Sequence, residues 1–173
     1  MTFPLVGGSP ALDLANTVVH RSTDATDLLT TPDDLARWLI DAGVLDSYVK
    51  VRDADVTGAV QLREAVHRLA TGTAKPADRR VLNRAAKEAP VRVRLAKDGS
   101  ITRSGDVAAA LSTVARQAIE LLTGEFAAQI KECDAEDCTR LYVDNSRRGS
   151  RRWCDMRGCG NRAKMANFRA RHA

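Results

Sequence analysis

Residues 133–173 read CDAEDCTRLYVDNSRRGSRRWCDMRGCGNRAKMANFRARHA, and the cysteine spacing in this stretch decides how the chain is divided. Cys133 and Cys138 are separated by four residues, Cys154 and Cys159 by four, and the two pairs by fifteen, with no other cysteine in the chain. Zinc takes four tetrahedral ligands, and four thiolates fill its shell with no open position. The two like-spaced pairs therefore point to one structural Zn2+ held by Cys133, Cys138, Cys154 and Cys159. Two disulfides would need an oxidising compartment, and Met1 to Pro10 carries neither the basic nor the apolar segment of an export signal. An iron–sulfur cluster takes the same four ligands. The spacing alone leaves that alternative open, but the polar surround favours a structural site.

The residues between the ligands have the pattern of a small finger. Leu141, Tyr142 and Val143 read as a strand, Asn145 to Gly149 as a turn, and Arg151 to Cys154 as a strand pairing back. Asn161 is placed to cap a helix running to about Arg171. Strand, turn, strand and helix around two cysteine pairs predict a treble-clef-like fold. Its expected core is Leu141, Tyr142, Val143, Trp153, Met156, Met165 and Phe168, too little to fold alone. Zinc contributes on the order of 10 kcal/mol to comparable fingers. Replacing Cys154 or Cys159 by Ser is thus expected to unfold the tail and spare the rest of the chain.

Upstream, the composition favours helices. Aromatic residues are 4% of the 173-residue chain, which leaves Ala, Leu and Val to build the core. Pro10 to Val19 reads as a short apolar helix with Asp13 and Asn16 embedded in it. These two are either a satisfied polar pair or the lining of a small ligand pocket. Thr31, Pro32, Asp33 and Asp34 mark a helix start, followed by Leu35, Trp38, Leu39 and Ala42 at helical spacing and Gly43 as the stop. Further helices are expected over Asp55 to Ala70, Pro76 to Glu88, and Asp106 to about Ile130, the last divided or kinked at Gly124. Between them Val91, Val93 and Leu95 alternate with polar residues up to Asp98-Gly99, predicting a hairpin whose apolar face packs on the helices. The fold class is mainly α with a small β-hairpin: a helical N-terminal domain, 1–130, and a treble-clef-like zinc finger, 131–173.

Charge separates the same two parts. Residues 139–173 hold ten Lys or Arg against two Asp or Glu, about +8, so the formal +5 of the whole chain leaves −3 for residues 1–138. A basic tail on a mildly acidic body calls for a polyanion. Arg147, Arg148, Arg151 and Arg152 flank the finger's turn, and Arg162, Lys164, Arg169 and Arg171 lie on its helix. Arginine suits phosphates and guanine edges, so DNA is the expected partner of this set, with RNA or an acidic protein as rivals. Only Tyr142, Trp153 and Phe168 could stack on single-stranded bases, and all three are expected in the core. One small finger gives limited affinity, which predicts a homodimer. His20, His67 and His172 stand apart with no readable partner, and a closed four-thiolate site does not catalyse, so no enzyme is expected. No apolar run approaches bilayer length, and a cytoplasmic protein that does not bind membranes is expected.

These residues carry a resemblance. Arg151-Arg152-Trp153-Cys154-Asp155-Met156, followed by Cys159-Gly160-Asn161-Arg162-Ala163-Lys164, resembles the CGNR zinc finger. Tyr142-Val143-Asp144-Asn145-Ser146 resembles the hydrophobic-Asp-x-Ser linker of the same family. Ala11-Leu12-Asp13-Leu14-Ala15-Asn16-Thr17 resembles the opening of the ABATE-type domain that precedes this finger in bacterial proteins. The resemblance implies a stress-responsive transcription regulator whose finger binds DNA, whose N-terminal domain senses a signal, and whose zinc ligands are the four cysteines above.

Overall fold

The structure is a computed structural model and describes residues 2–172. Its helices are α1 (Pro10–Ala15), α2 (Pro32–Asp41), α3 (Asp53–Ala70), α4 (Pro76–Ala86), α5 (Val107–Thr123) and α6 (Asn161–His172). Three antiparallel strand pairs join them: β1 (Val18–Val19) with β2 (Thr26–Asp27), β3 (Arg92–Leu95) with β4 (Ile101–Ser104), and β5 (Ile130–Glu132) with β6 (Leu141–Val143).

Helix α2 starts as its sequence predicts. The Thr31 hydroxyl accepts the Asp34 N–H, the Asp34 carboxylate accepts the Thr31 N–H, and Pro32 fills the first turn. Trp38 is fully buried in the core formed with α3 and α5. Helix α1 is shorter than the apolar run predicts. It ends at Ala15, where the Thr17 hydroxyl donates to the Leu14 carbonyl, and Val18 and Val19 go into β1. Branched residues are stiff in a helix and suited to a strand. Although only six residues long, α1 is buried from Ala11 to Ala15 and packs against α3, α5 and β6.

Two further expectations are corrected. The expected β3–β4 hairpin forms, with Leu95 opposite Ile101, but its apolar side chains do not pack on the helices: Val93, Leu95 and Ile101 are exposed, and only Val91 is buried. Val91 is the residue adjoining the helices, its N–H donating to the Thr113 hydroxyl of α5, and the hairpin extends away beyond it. Helix α5 stops at Gly124, where a Cβ would stand 2.6 Å from the Glu120 carbonyl oxygen. The chain then makes one 3-10 turn, Ala127–Gln129, and enters β5.

Strand β5 is the partner of β6, in the register Ile130–Val143, Lys131–Tyr142 and Glu132–Leu141. Arg151 to Cys154 does not form the expected second strand of the finger. Strand β6 has a different side chain on each face, as the two-residue period of a strand requires. Leu141 and Val143 enter the helical core, whereas Tyr142 packs with the four cysteines. Its backbone is also tied to the N-terminal segment. The Asn16 amide donates to the Leu141 carbonyl at 2.9 Å and accepts the Leu141 N–H at 2.8 Å, and the Val143 N–H donates to the Gly7 carbonyl at 2.9 Å.

Asn16→Ala would strip two partners from a buried strand. Each unpaired buried group costs about 1–3 kcal/mol, so a loss of about 3 kcal/mol is expected in urea unfolding. A loss below about 1 kcal/mol would mean that β6 does not need this clamp.

Candidate metal centre

The four cysteines are brought to one point by two short turns. Cys133 follows β5 directly, and its N–H donates to the Arg140 carbonyl, while the Cys138 N–H closes the turn onto Ala135. The tightness of this turn puts Asp137 in the left-handed region, at φ 61°. The second pair brackets a helix start. Asp155, after Cys154, accepts the N–H groups of Arg157 and Gly158, and Met156–Gly160 makes a π-helical turn that runs into α6. The cap is therefore Asp155 and not Asn161, whose amide donates back to the Arg157 carbonyl.

All four sulfurs lie within 4.8 Å of one another and all four residues are buried. The Sγ atoms of Cys138 and Cys154 are 3.8 Å apart, and those of Cys154 and Cys159 3.6 Å. Four thiolates bound to one zinc at about 2.3 Å stand about 3.8 Å from each other, so the donor set fits a tetrahedral thiophilic ion. Two donors from the protein support the sulfurs: the Cys154 N–H on Cys133 Sγ at 3.3 Å and the Arg162 guanidinium on Cys159 Sγ at 3.2 Å. A hydrogen bond between the Cys154 and Cys138 sulfurs pulls the Cys138 thiol far down and pushes the Cys154 thiol up, burial adding to the latter. Metal ligation needs the thiolate form, so binding of a divalent ion would release the thiol protons.

The expected core of this part is smaller than its sequence indicates. Tyr142 is fully buried and Trp153 half-buried, but Met156, Met165 and Phe168 are exposed at 47%, 52% and 57%. Helix α6 makes its main contacts with the π-turn that precedes it, and no other helix packs on Met165 or Phe168 among the described residues.

The eight candidate basic residues separate by what they touch. Arg151 works inside the fold: its guanidinium donates to the Trp153 and Cys154 carbonyls and stacks over Tyr142 at 4.4 Å. Arg152 pairs with Asp134 at 2.8 Å while covering Trp153. Arg162 serves Cys159. Arg147, Arg148, Lys164, Arg169 and Arg171 are exposed and make no ion pair among the described residues. Asp144, which sequence reasoning passed over as a site residue, shapes the turn that carries Arg147 and Arg148. It accepts Lys131 Nζ at 2.7 Å, the Ser146 hydroxyl and N–H, and the Arg151 N–H. These donors, Lys131 first, hold its carboxyl far below the usual range. The Asp-x-Ser spacing was the available signal, because an Asp two residues before a Ser is a local turn former.

Comparison with known proteins now places the chain. Residues 8–125, most of its length, match the ABATE family, described as "Putative stress-induced transcription regulator". The chain belongs to this family. Residues 129–172 match the CGNR zinc finger. Both matches are to regulator and finger types, in the order that the resemblance implied. No curated protein matches the sequence. No helix among the described residues is long and apolar enough to cross a membrane.

In the ABATE part, the two candidate ligand residues are engaged internally. Asn16 clamps β6, and Asp13 accepts the Gly7 N–H at 2.7 Å. A cavity of about 710 Å³ opens nearby between residues 8–10, the end of α5 and Phe126, and neither Asp13 nor Asn16 lines it. Further contacts join the ABATE part to the CGNR finger. His20, itself left-handed at φ 56°, places Nδ1 2.6 Å from the Asp137 carbonyl, and the Arg21 N–H donates to the Thr139 hydroxyl. Arg21 also pairs with Glu64, which with Asp27 holds the buried Arg63 of α3. His67, nearby on α3, is held neutral by burial, its pKa down at about 4 with the Arg21 charge assisting. His172 lies at the far end of α6 stacked on Phe168, so the three histidines form no common site.

Two outcomes follow. Because β6 is shared, loss of the metal is expected to loosen the ABATE part rather than spare it. In a Trp153→Phe variant, Trp38 is the remaining tryptophan. Chelation should then lower the stability it reports by about 2.7 kcal/mol for metal present at 100 times its Kd; an unchanged Trp38 midpoint would show two independent units. Secondly, burial pushes Asp13 up to about 6. Its folded-state pKa lies above the unfolded value of about 3.9, so its contribution is present below pH 4 and is lost as pH rises to 6. Asp13→Asn should remove that loss, about 2–3 kcal/mol between pH 4 and 6, in denaturation curves taken across the range.

Proposed function

We propose that the chain is a cytoplasmic transcription regulator whose CGNR finger, organised by Zn2+, binds double-stranded DNA, while the ABATE part senses a signal and passes it through the shared strand β6. The observation that supports DNA most strongly is the set of free cations. Arg147 and Arg148 sit on a turn shaped by Asp144, and Lys164, Arg169 and Arg171 sit on a helix started by the metal-binding turn. The helix depends on the metal-binding turn for its start and the loop on Asp144 for its shape, and neither group of cations makes an ion pair among the described residues. Arg152 and Arg162 keep further N–H donors beside their internal contacts and can add to the same surface. Arg151 belongs to the scaffold on this reading. One finger reaches few phosphates, so two copies per site are part of the proposal.

Binding to a mixed-sequence duplex of about two helical turns, followed by fluorescence anisotropy over a range of salt, tests it. Each phosphate contact steepens the dependence of log K on log salt by about 0.9. Arg147→Ala with Arg148→Ala should therefore flatten the slope by about 2, and Cys159→Ser should abolish binding together with zinc content. Equal retention by wild type and Cys159→Ser would overturn the reading. So would tight capture of an acidic protein or of RNA with no response to duplex DNA.

A further inference from the structure

Helix α6 has an arrangement that its composition does not show. At 100° per residue, Ala163 and Ala166 lie together on one side, and with Arg162 they line a cleft of about 500 Å³ that faces Asp134 of the first cysteine turn and Trp153 beside Cys154. This fixes which side of the helix looks inward. Met165, Phe168 and His172 lie about 160° around the helix from that side and form an outward ridge. Met165 and Phe168 are more than half exposed, and the Phe168 ring is steadied by His172 stacked on it at 4.1 Å. Two basic rows flank the ridge: Arg169 on one side, in line with Arg162, which itself turns back to Cys159 Sγ, and Lys164 with Arg171 on the other. Residues 156–172 contain no Asp or Glu.

We infer that this outward face reads the major groove of double-stranded DNA, with Met165 and Phe168 against the groove floor and the two basic rows reaching the phosphates of either strand. The inference rests on the DNA-binding reading above and adds the reading residues to it. The dimensions agree: twelve residues give a helix about 18 Å long and 10–12 Å across, and the major groove is about 12 Å wide. A ridge of apolar side chains between two cationic rows matches a groove whose walls are phosphate and whose floor carries thymine methyl groups. A second copy of this chain fits the ridge poorly, because pairing two such helices ridge to ridge would set cationic rows against cationic rows. The free apolar face therefore has a partner of opposite charge with an apolar floor, which duplex DNA supplies.

The test starts from a duplex selected by the zinc-loaded full-length protein from a randomised pool. Affinities are compared for that duplex, a mixed-sequence duplex, and the selected duplex with uracil in place of thymine. Uracil lacks only the methyl group. Wild type should bind the uracil duplex about fourfold more weakly for each methyl that the ridge buries. Met165→Ala with Phe168→Ala should lose that difference and most of its preference for the selected site. Arg169→Ala with Arg171→Ala should weaken binding to all three duplexes alike and flatten the salt dependence. The helix packs on little else, so each variant is expected to retain one equivalent of zinc, which checks its fold. If no duplex is bound or enriched, both the DNA reading and this inference fail. If a duplex is selected but Met165→Ala/Phe168→Ala keeps its preference and its uracil penalty, the inference fails and the DNA reading stands. The inference also fails if the same variant instead turns a dimer into a monomer without changing DNA discrimination.

Discussion

Strand β6 is three residues long, and each residue has a separate duty. Leu141 and Val143 complete the helical core, Tyr142 covers the cysteines, and the backbone is held on one edge by β5 and on the other by Asn16 and Gly7. A two-stranded pair of this length is unstable in water by itself. It persists because burial on both faces and pairing on both edges act together. The two parts of the chain share this strand, and a line of contacts runs from the sulfurs to α1 through Tyr142, Leu141 and Asn16.

The basic residues illustrate how composition and geometry divide the work. The net +8 of residues 139–173 describes a polyanion binder, but three of the arginines have structural partners. Arg151 holds the segment between the turn and Cys154, Arg152 closes against Asp134, and Arg162 supports a sulfur. Of the other seven, Arg147 and Arg148 are displayed on the Asp144 turn and Lys164, Arg169 and Arg171 along α6, with Arg140 and Arg157 beside the cysteines. The acidic residues of this part have matching tasks: Asp144 builds a turn and Asp155 starts a helix, both by accepting backbone N–H groups.

The features legible in the sequence were those with local causes. The Thr31-Pro32-Asp34 start of α2, the Asp-Gly turn of the hairpin and the symmetric cysteine spacing each depend on residues a few positions apart. The features that were not legible depend on distant partners. Ile130 to Glu132 has no strand pattern of its own and becomes β5 because β6 is there to pair with it. Asn16 reads in the sequence as a satisfied polar group or as pocket lining, and the partner it has, a strand far along the chain, leaves no local signal. Val93, Leu95, Met165 and Phe168 looked like core residues because they are apolar at the right spacing, yet no element of the fold comes to cover them. Spacing shows that residues share a face and carries no information about what that face meets.

The Asn16–Leu141 clamp joins residues 125 positions apart, and this sets an order of events during synthesis. Helix α1 is central to the core, but one of its neighbours, β6, follows it by more than a hundred residues of chain, and the last two cysteines come later still. Domains generally fold from the N-terminus as they emerge from the ribosome. Here α1 must wait with an exposed apolar flank until β6 arrives. Maturation therefore has a late final step in which capture of the ion and closure of the oldest part of the chain coincide.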